Sequence, residues 1–187
     1  MTRRLAQSVA MLALATCCLG ARRLAAGEPV PPVPVTVRDV RLDQAMLAPV
    51  VLLETQKRDR VLAVVIGHAE AMAILSVLRR EPPPPRPMTH DLLKNVIAQL
   101  GGKLERVVIT RLEGGTFYAS LIVRRGDAEV TIDARPSDGM ALALRAGAGV
   151  FVAQAVLDEA GQDPAQLRED PAPRPPRPPI ADPDQVI

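Results

Sequence analysis

Apolar residues recur along this chain in two different rhythms, and the rhythms place the elements. Short runs rich in Val, Ile, Leu and Thr over 48–54, 61–66, 105–112, 116–124 and 129–134 read as strands, and 150–153 as a further short one. Glu113-Gly114-Gly115 and Arg125-Gly126-Asp127 separate three of these and read as tight hairpin loops, so residues 105–134 form an antiparallel meander. Helical spacing takes over in 69–80, where Ala73, Ile74, Val77 and Leu78 share a face. It returns in 89–100 with Leu92, Leu93, Val96, Ile97 and Leu100, closed by Gly101-Gly102, and in 137–145 with Met140, Ala141 and Leu144. A last short helix covers 154–160. Strands in a meander, interrupted by helices rather than alternating with them, predict an α+β fold: one compact domain, a mostly antiparallel sheet and three to four helices packed against it.

The ends read differently. Thr2-Arg3-Arg4 followed by an apolar stretch to Ala21 has the form of a signal peptide, with Ala21 or Ala26 as the cleavage point. Residues 1–26 are therefore expected to be removed, the protein exported to the periplasm or secreted, and the mature chain left without a transmembrane segment. Leu14-Ala15-Thr16-Cys17 is similar to a lipoprotein box, although Thr16 stands where a smaller residue is usual, so a lipid anchor at Cys17 is the minor alternative. Residues 27–36 form a proline-rich leader, and 37–161 the folded domain. Residues 162–187, with Pro171-Ala172-Pro173-Arg174-Pro175-Pro176-Arg177-Pro178-Pro179, lack apolar periodicity and read as a disordered tail.

Charge and composition narrow the chemistry. The chain carries 23 Lys and Arg against 21 Asp and Glu; without the four arginines of residues 1–26 the balance is slightly acidic. There is no basic footprint of the usual nucleic-acid kind. Phe117, Tyr118 and Phe151 are the only aromatics, too few for a stacking platform. Both cysteines, Cys17 and Cys18, lie in the signal segment, which leaves the mature domain no disulfide, thiol nucleophile or cysteine metal site. No glycine-rich phosphate loop, zinc motif or nucleophile elbow is present.

Two phrases stand out instead: Arg86-Pro87-Met88-Thr89-His90-Asp91 and Asp133-Ala134-Arg135-Pro136-Ser137-Asp138. Each runs basic residue, proline, hydroxyl, acid, and each leads into a helix. Proline disfavours helix in the residue before it, so Thr89 and Ser137 are expected as N-caps, with Asp91 and Asp138 in first turns that favour negative charge. Asp133 ends a strand, and an ion pair with Arg135 or Arg86 is its structural alternative to a chemical role.

With these two phrases, Ile66-Gly67-His68-Ala69-Glu70-Ala71 and Gly115-Thr116-Phe117-Tyr118-Ala119 complete an ordered set over about residues 45–161. The set strongly resembles the bifunctional nuclease domain family, small bacterial and plant proteins credited with DNase and RNase activity. The resemblance implies an α+β fold, self-association into a homo-oligomer, and hydrolysis of phosphodiester bonds in DNA and RNA. The chain departs from the family pattern in having Gly139-Met140 where Ala-Ile is usual, Val65 where an aromatic is common, and an export signal.

Phosphodiester hydrolysis needs a water nucleophile, positive charge at phosphate and help for the leaving oxygen. Carboxylate-held Mg²⁺ or Mn²⁺ is one route, and a histidine with arginine clamps is another. The candidates are Glu70, His90, Asp91, Asp133 and Asp138 as catalytic groups, with Arg86 and Arg135 on the phosphate. His68 reads as an ordinary exposed loop residue. The alternative is a non-catalytic exported binding or assembly module, in which the arginine–carboxylate phrases are internal ion pairs and surplus apolar surface builds an interface.

Overall fold

The computed structural model describes residues 30–166; the segment 1–26 expected as a signal peptide, with Cys17 and Cys18, and most of the proline-rich tail, lie outside the described residues. Strands β1 (Val33–Asp43), β2 (Ala48–Thr55) and β3 (Val61–Val65) come first, then helices α1 (His68–Leu78) and α2 (Thr89–Gln99). The meander follows as β4 (Gly102–Glu113), β5 (Thr116–Arg125) and β6 (Ala128–Ala134). Helix α3 (Pro136–Ala146), β7 (Gly149–Val152), α4 (Gln154–Ala160) and the two-residue β8 (Gly161–Gln162) complete the domain.

The strands form one sheet in the order β6-β5-β4-β7-β1-β2-β3-β8. It consists of two antiparallel meanders, β1-β2-β3 and β4-β5-β6, and β7 is the splice between them. β7 runs antiparallel to β1, with Val33 opposite Val152, and parallel to β4, with Val107 opposite Val150. The predicted α+β class and mostly antiparallel sheet are both present. Gly114 and Gly115 both adopt positive φ in the β4–β5 turn, which a two-residue hairpin of this twist requires.

Strand alternation builds the core. Val51 and Leu53 of β2, Val107 and Ile109 of β4, Leu121 and Val123 of β5 and Val152 of β7 pack with Ala71 and Ile74 of α1, Met140 and Leu142 of α3, and Leu157 of α4. Helix α3 lies against β4 and β5, and Gly139 makes the approach possible: a Cβ there would stand 2.7 Å from Val107 Cγ1. Gly139 thus has a packing reason.

Two expectations need correction. The leader 27–36 is not wholly outside the fold, because β1 begins at Val33, and periodicity does not reveal that strand. The proline cluster masks a strand in which Val35 and Val37 alternate with exposed residues; proline is tolerated near a strand's start. The apolar stripe of α2 predicts a buried face, yet His90 is its only buried residue. Leu92, Leu93, Val96 and Leu100 are 38 to 68% exposed, since only its first turn and Ile97 pack on the rest of the domain.

One polar side chain ties the helical layer together. Arg145 of α3, only 6% exposed, gives Nε to Asp91 Oδ1 of α2 at 2.9 Å. Its Nη1 donates to the Ala73 carbonyl of α1 at 2.8 Å and the Ala141 carbonyl at 3.0 Å, and its Nη2 to Ser76 Oγ at 3.3 Å. Removing Arg145 leaves the half-buried Asp91 and the Ala73 carbonyl without their shared donor. Arg145→Ala is therefore expected to lower unfolding free energy by about 1–3 kcal/mol in urea denaturation.

Candidate active site at three helix starts

Glu70, His90 and Asp138 all stand in first turns, of α1, α2 and α3 respectively, and Arg135 is the N-cap residue of α3. The helices begin one residue earlier than the hydroxyls suggest. Met88 is the N-cap of α2, and Pro136 opens α3 as its first residue, so Thr89 and Ser137 lie inside the first turns and neither caps. Proline suits that opening position because its φ is already helical and its missing N–H would have had no helical acceptor. It also holds Arg135 in an extended conformation, φ −70° and ψ 144°, at the head of the helix.

From there the four side chains form one chain of contacts. Arg135 grips Asp138 with two nitrogens, Nε to Oδ2 at 2.7 Å and Nη2 to Oδ1 at 3.1 Å. The same Nη2 reaches Glu70 Oε1 at 2.5 Å. Asp138 Oδ1 also meets His90 Nε2 at 3.2 Å. Burial opposes the charge on Asp138, but hydrogen bonds from Arg135 and His90, together with their charges, outweigh it and hold the carboxyl below its ordinary 3.8. Hydrogen bonds that Arg135 donates to Asp138 and Glu70 raise its pKa further above an already high value.

An ionised Asp138 can only accept, so His90 Nε2 carries the hydrogen of this contact; the neutral tautomer with that hydrogen on Nε2 has its lone pair on Nδ1. Among the described residues Nδ1 has no hydrogen-bond partner, and no fully enclosed side-chain nitrogen or oxygen lacks one, so Nδ1 is not fully enclosed although the ring is largely buried. Arg135 is 67% exposed, and its Nη1 is likewise unengaged among the described residues.

Beside Arg135 opens a groove of about 370 Å³ whose walls include Ile66, Gly67, Thr116, Phe117, Arg135 and Ser137. Three of the four sequence phrases meet on it, and the fourth joins through His90. Clefts of similar size lie at α4 and between α2 and α3, without such a chain of ionisable groups. Gly67 lies at the groove's edge. A Cβ there would collide with Glu70 Oε2, the end of a flexible side chain, so the glycine leaves room for Glu70 to fold back over its own helix start toward Arg135.

The other candidates sit elsewhere. Asp91 faces Arg145 and accepts from the Met88 N–H at 3.2 Å, which makes it a helix tie. Asp133 is exposed. Its neighbour Ile132 pairs with the core residue Leu121, so alternation turns Asp133 to the face away from the helices. It forms no ion pair among the described residues, and neither does Arg86, exposed in the loop before α2. The Asp133–Arg135 and Asp133–Arg86 pairs that stood as the structural alternative are not formed among the described residues; Arg135 is taken by Asp138 and Glu70, and Arg86 stays in its exposed loop. His68 opens α1, rather than lying in a loop, and is exposed. Arg145 escapes sequence reasoning, since its partners on α1 and α2 are 54 and more residues away with no local signal.

A resident divalent cation does not fit this arrangement. Both oxygens of Asp138 and one of Glu70 are already engaged by Arg135, and no group of three His, Cys, Asp or Glu able to hold a metal occurs among the described residues.

Residues 50–165 match the model of the bifunctional nuclease domain. The chain belongs to the bifunctional nuclease domain family. Two relatives, the uncharacterized proteins MT1877 and Rv1829 of Mycobacterium tuberculosis strains CDC 1551 and H37Rv, are each 45% identical over 127 residues, covering 68% of this chain and 75% of each relative. The span matched by the family model takes in all four members of the Glu70–Arg135–Asp138–His90 chain.

The depressed Asp138 pKa has a signed consequence. Its contribution to stability is complete above pH 3.8 and fades as pH falls through the lower folded value. Asp138→Asn should flatten the fall of stability with acid below pH 3.8, measured by thermal melts from neutral to strongly acidic pH. Gly67→Ala should displace Glu70 from Arg135 while leaving the fold intact, seen as a changed Arg135 Nε–H signal in NMR spectra.

Proposed function

We propose that this protein is an exported nuclease-family hydrolase that cleaves phosphodiester bonds in DNA and RNA at the mouth of the Arg135 groove. The supporting observation is the branched contact at Asp138: one carboxylate orients both a water-facing imidazole and an exposed guanidinium. His90 Nδ1 takes a proton from water as that water attacks phosphorus, and Asp138 stabilises the imidazolium that forms. Arg135 Nη1 donates to a phosphate oxygen and offsets the charge that builds there. The leaving oxygen takes its proton from solvent.

With neutral His90 the four groups carry one net negative charge, which on its own would repel phosphate. Three helix N-termini converge here, each equivalent to roughly half a positive charge, and they offset it. Export rests on the signal-like segment 1–26. Among the described residues no helix is long and apolar enough to cross a membrane.

A second reading is favoured by the exposed stripe of α2. Leu92, Leu93, Val96 and Leu100 suit an interface, so the same fold would serve as a homo-oligomeric assembly module without catalysis.

Incubation with plasmid DNA and a fluorogenic RNA separates the two. The hydrolase reading expects cleavage of both, reduced about 10²–10⁴-fold in a folded His90→Ala variant, as for loss of a general base. Undiminished cleavage by that variant would remove His90 from the reaction, and no cleavage by the wild-type chain would favour the assembly module.

A further inference from the structure

We infer that Arg135 is a built-in cation that supplies, between Glu70 and Asp138, the positive charge a divalent metal would otherwise bring, so that this site binds its substrate without metal. The inference deepens the hydrolase reading and rests on it for the identity of the substrate.

A metal enters a carboxylate site by taking lone pairs that are free to point at it, at roughly 2.0–2.1 Å for Mg²⁺. Here those lone pairs are committed. Arg135 Nη2 lies between Glu70 Oε1 and Asp138 Oδ1, at 2.5 and 3.1 Å, and engages both. Nε at 2.7 Å occupies the other Asp138 oxygen, and Oδ1 is shared with His90. Glu70 Oε2 is folded against Gly67.

A guanidinium does not lose its charge at any ordinary pH, so it cannot yield the place by deprotonation. It could leave only by giving up charge-assisted bonds to both carboxylates, and it would then lie beside the incoming ion as a like charge. Its backbone is held as well, because Pro136 follows it and restricts Arg135 to the extended conformation. What the guanidinium offers that a metal would also offer is a fixed positive charge with one face, Nη1, open to a phosphate oxygen.

The converse gives the test. Deleting the guanidinium leaves two carboxylates, with His90 beside one of them, without their cation. Mn²⁺ titration of the full-length protein, followed by paramagnetic loss of the His90 ring signals, should leave the wild-type signals intact. Arg135→Ala should lose them, and Arg135→Ala combined with Glu70→Gln should recover them. Arg135→Gln, which keeps a hydrogen-bonding side chain, guards against a folding failure in the alanine variant and should also lose the signals.

Loss of the wild-type signals that is abolished by Asp138→Asn would overturn the inference, as would equal silence in the wild type and both Arg135 variants. In the cleavage assay, activity that persists in EDTA supports the inference and activity that requires Mg²⁺ or Mn²⁺ overturns it. Absence of cleavage in every condition tells against the hydrolase reading, and the Mn²⁺ titration still decides the role of Arg135.

Discussion

The buried guanidinium of Arg145 is the constraint on which the site depends. Burying a cation this deeply is unfavourable unless its donors find acceptors. Arg145 meets that requirement with groups from α1, α2 and α3: Ser76 and the Ala73 carbonyl, Asp91, and the Ala141 carbonyl. The three helices that it joins are the three whose first turns carry Glu70, His90 and Asp138. Asp91 is next to His90 in sequence, so the tie at Asp91 sets the position of the imidazole one residue away. A small error in how α2 sits on α3 would open the 3.2 Å contact between His90 and Asp138.

Around that tie the chain uses small residues where close approach is needed. Gly139 lets α3 settle onto β4, which brings its first turn to the groove, and Gly67 lets Glu70 turn back over α1. The result concentrates two carboxylates, a guanidinium and an imidazole where three helix dipoles point. Carboxylates at helix starts are ordinary stabilising features on their own. Their convergence, with Arg135 between two of them and two nitrogens left facing solvent, is what distinguishes this place from a set of separate caps. The exposed apolar stripe of α2 lies outside this network and leaves room for an interface that need not disturb it.

Much of this is legible from local pattern. The β4-β5-β6 meander, the four helices and the hairpin glycines follow from periodicity and turn chemistry within short windows. The family phrases contain Glu70, His90, Arg135 and Asp138, the four residues that the fold brings into contact. What escapes is long-range. Strand β1 lies partly under a proline cluster and draws its stability from β2 and β7. The amphipathic pattern of α2 does not say whether its stripe meets a core or solvent. Asp91 and Asp138 occupy equivalent places in similar phrases, yet one ties a helix through Arg145 and the other organises the site. Asp133 is spaced to align with Arg135, but strand alternation turns it to the opposite face. The contacts that decide these roles reach 48 to 72 residues along the chain, which spacing alone does not reveal.

The central claim is that substrate phosphate meets the protein where His90 and Arg135 branch from Asp138. Titration with a non-hydrolysable dinucleotide, followed by NMR of the imidazole signals, tests it most directly. The chain has only two histidines, so each ring can be followed individually. The account predicts saturable shifts of the His90 ring that disappear in Arg135→Gln. Dinucleotide binding that leaves His90 unmoved, or that persists unchanged in Arg135→Gln, would contradict it.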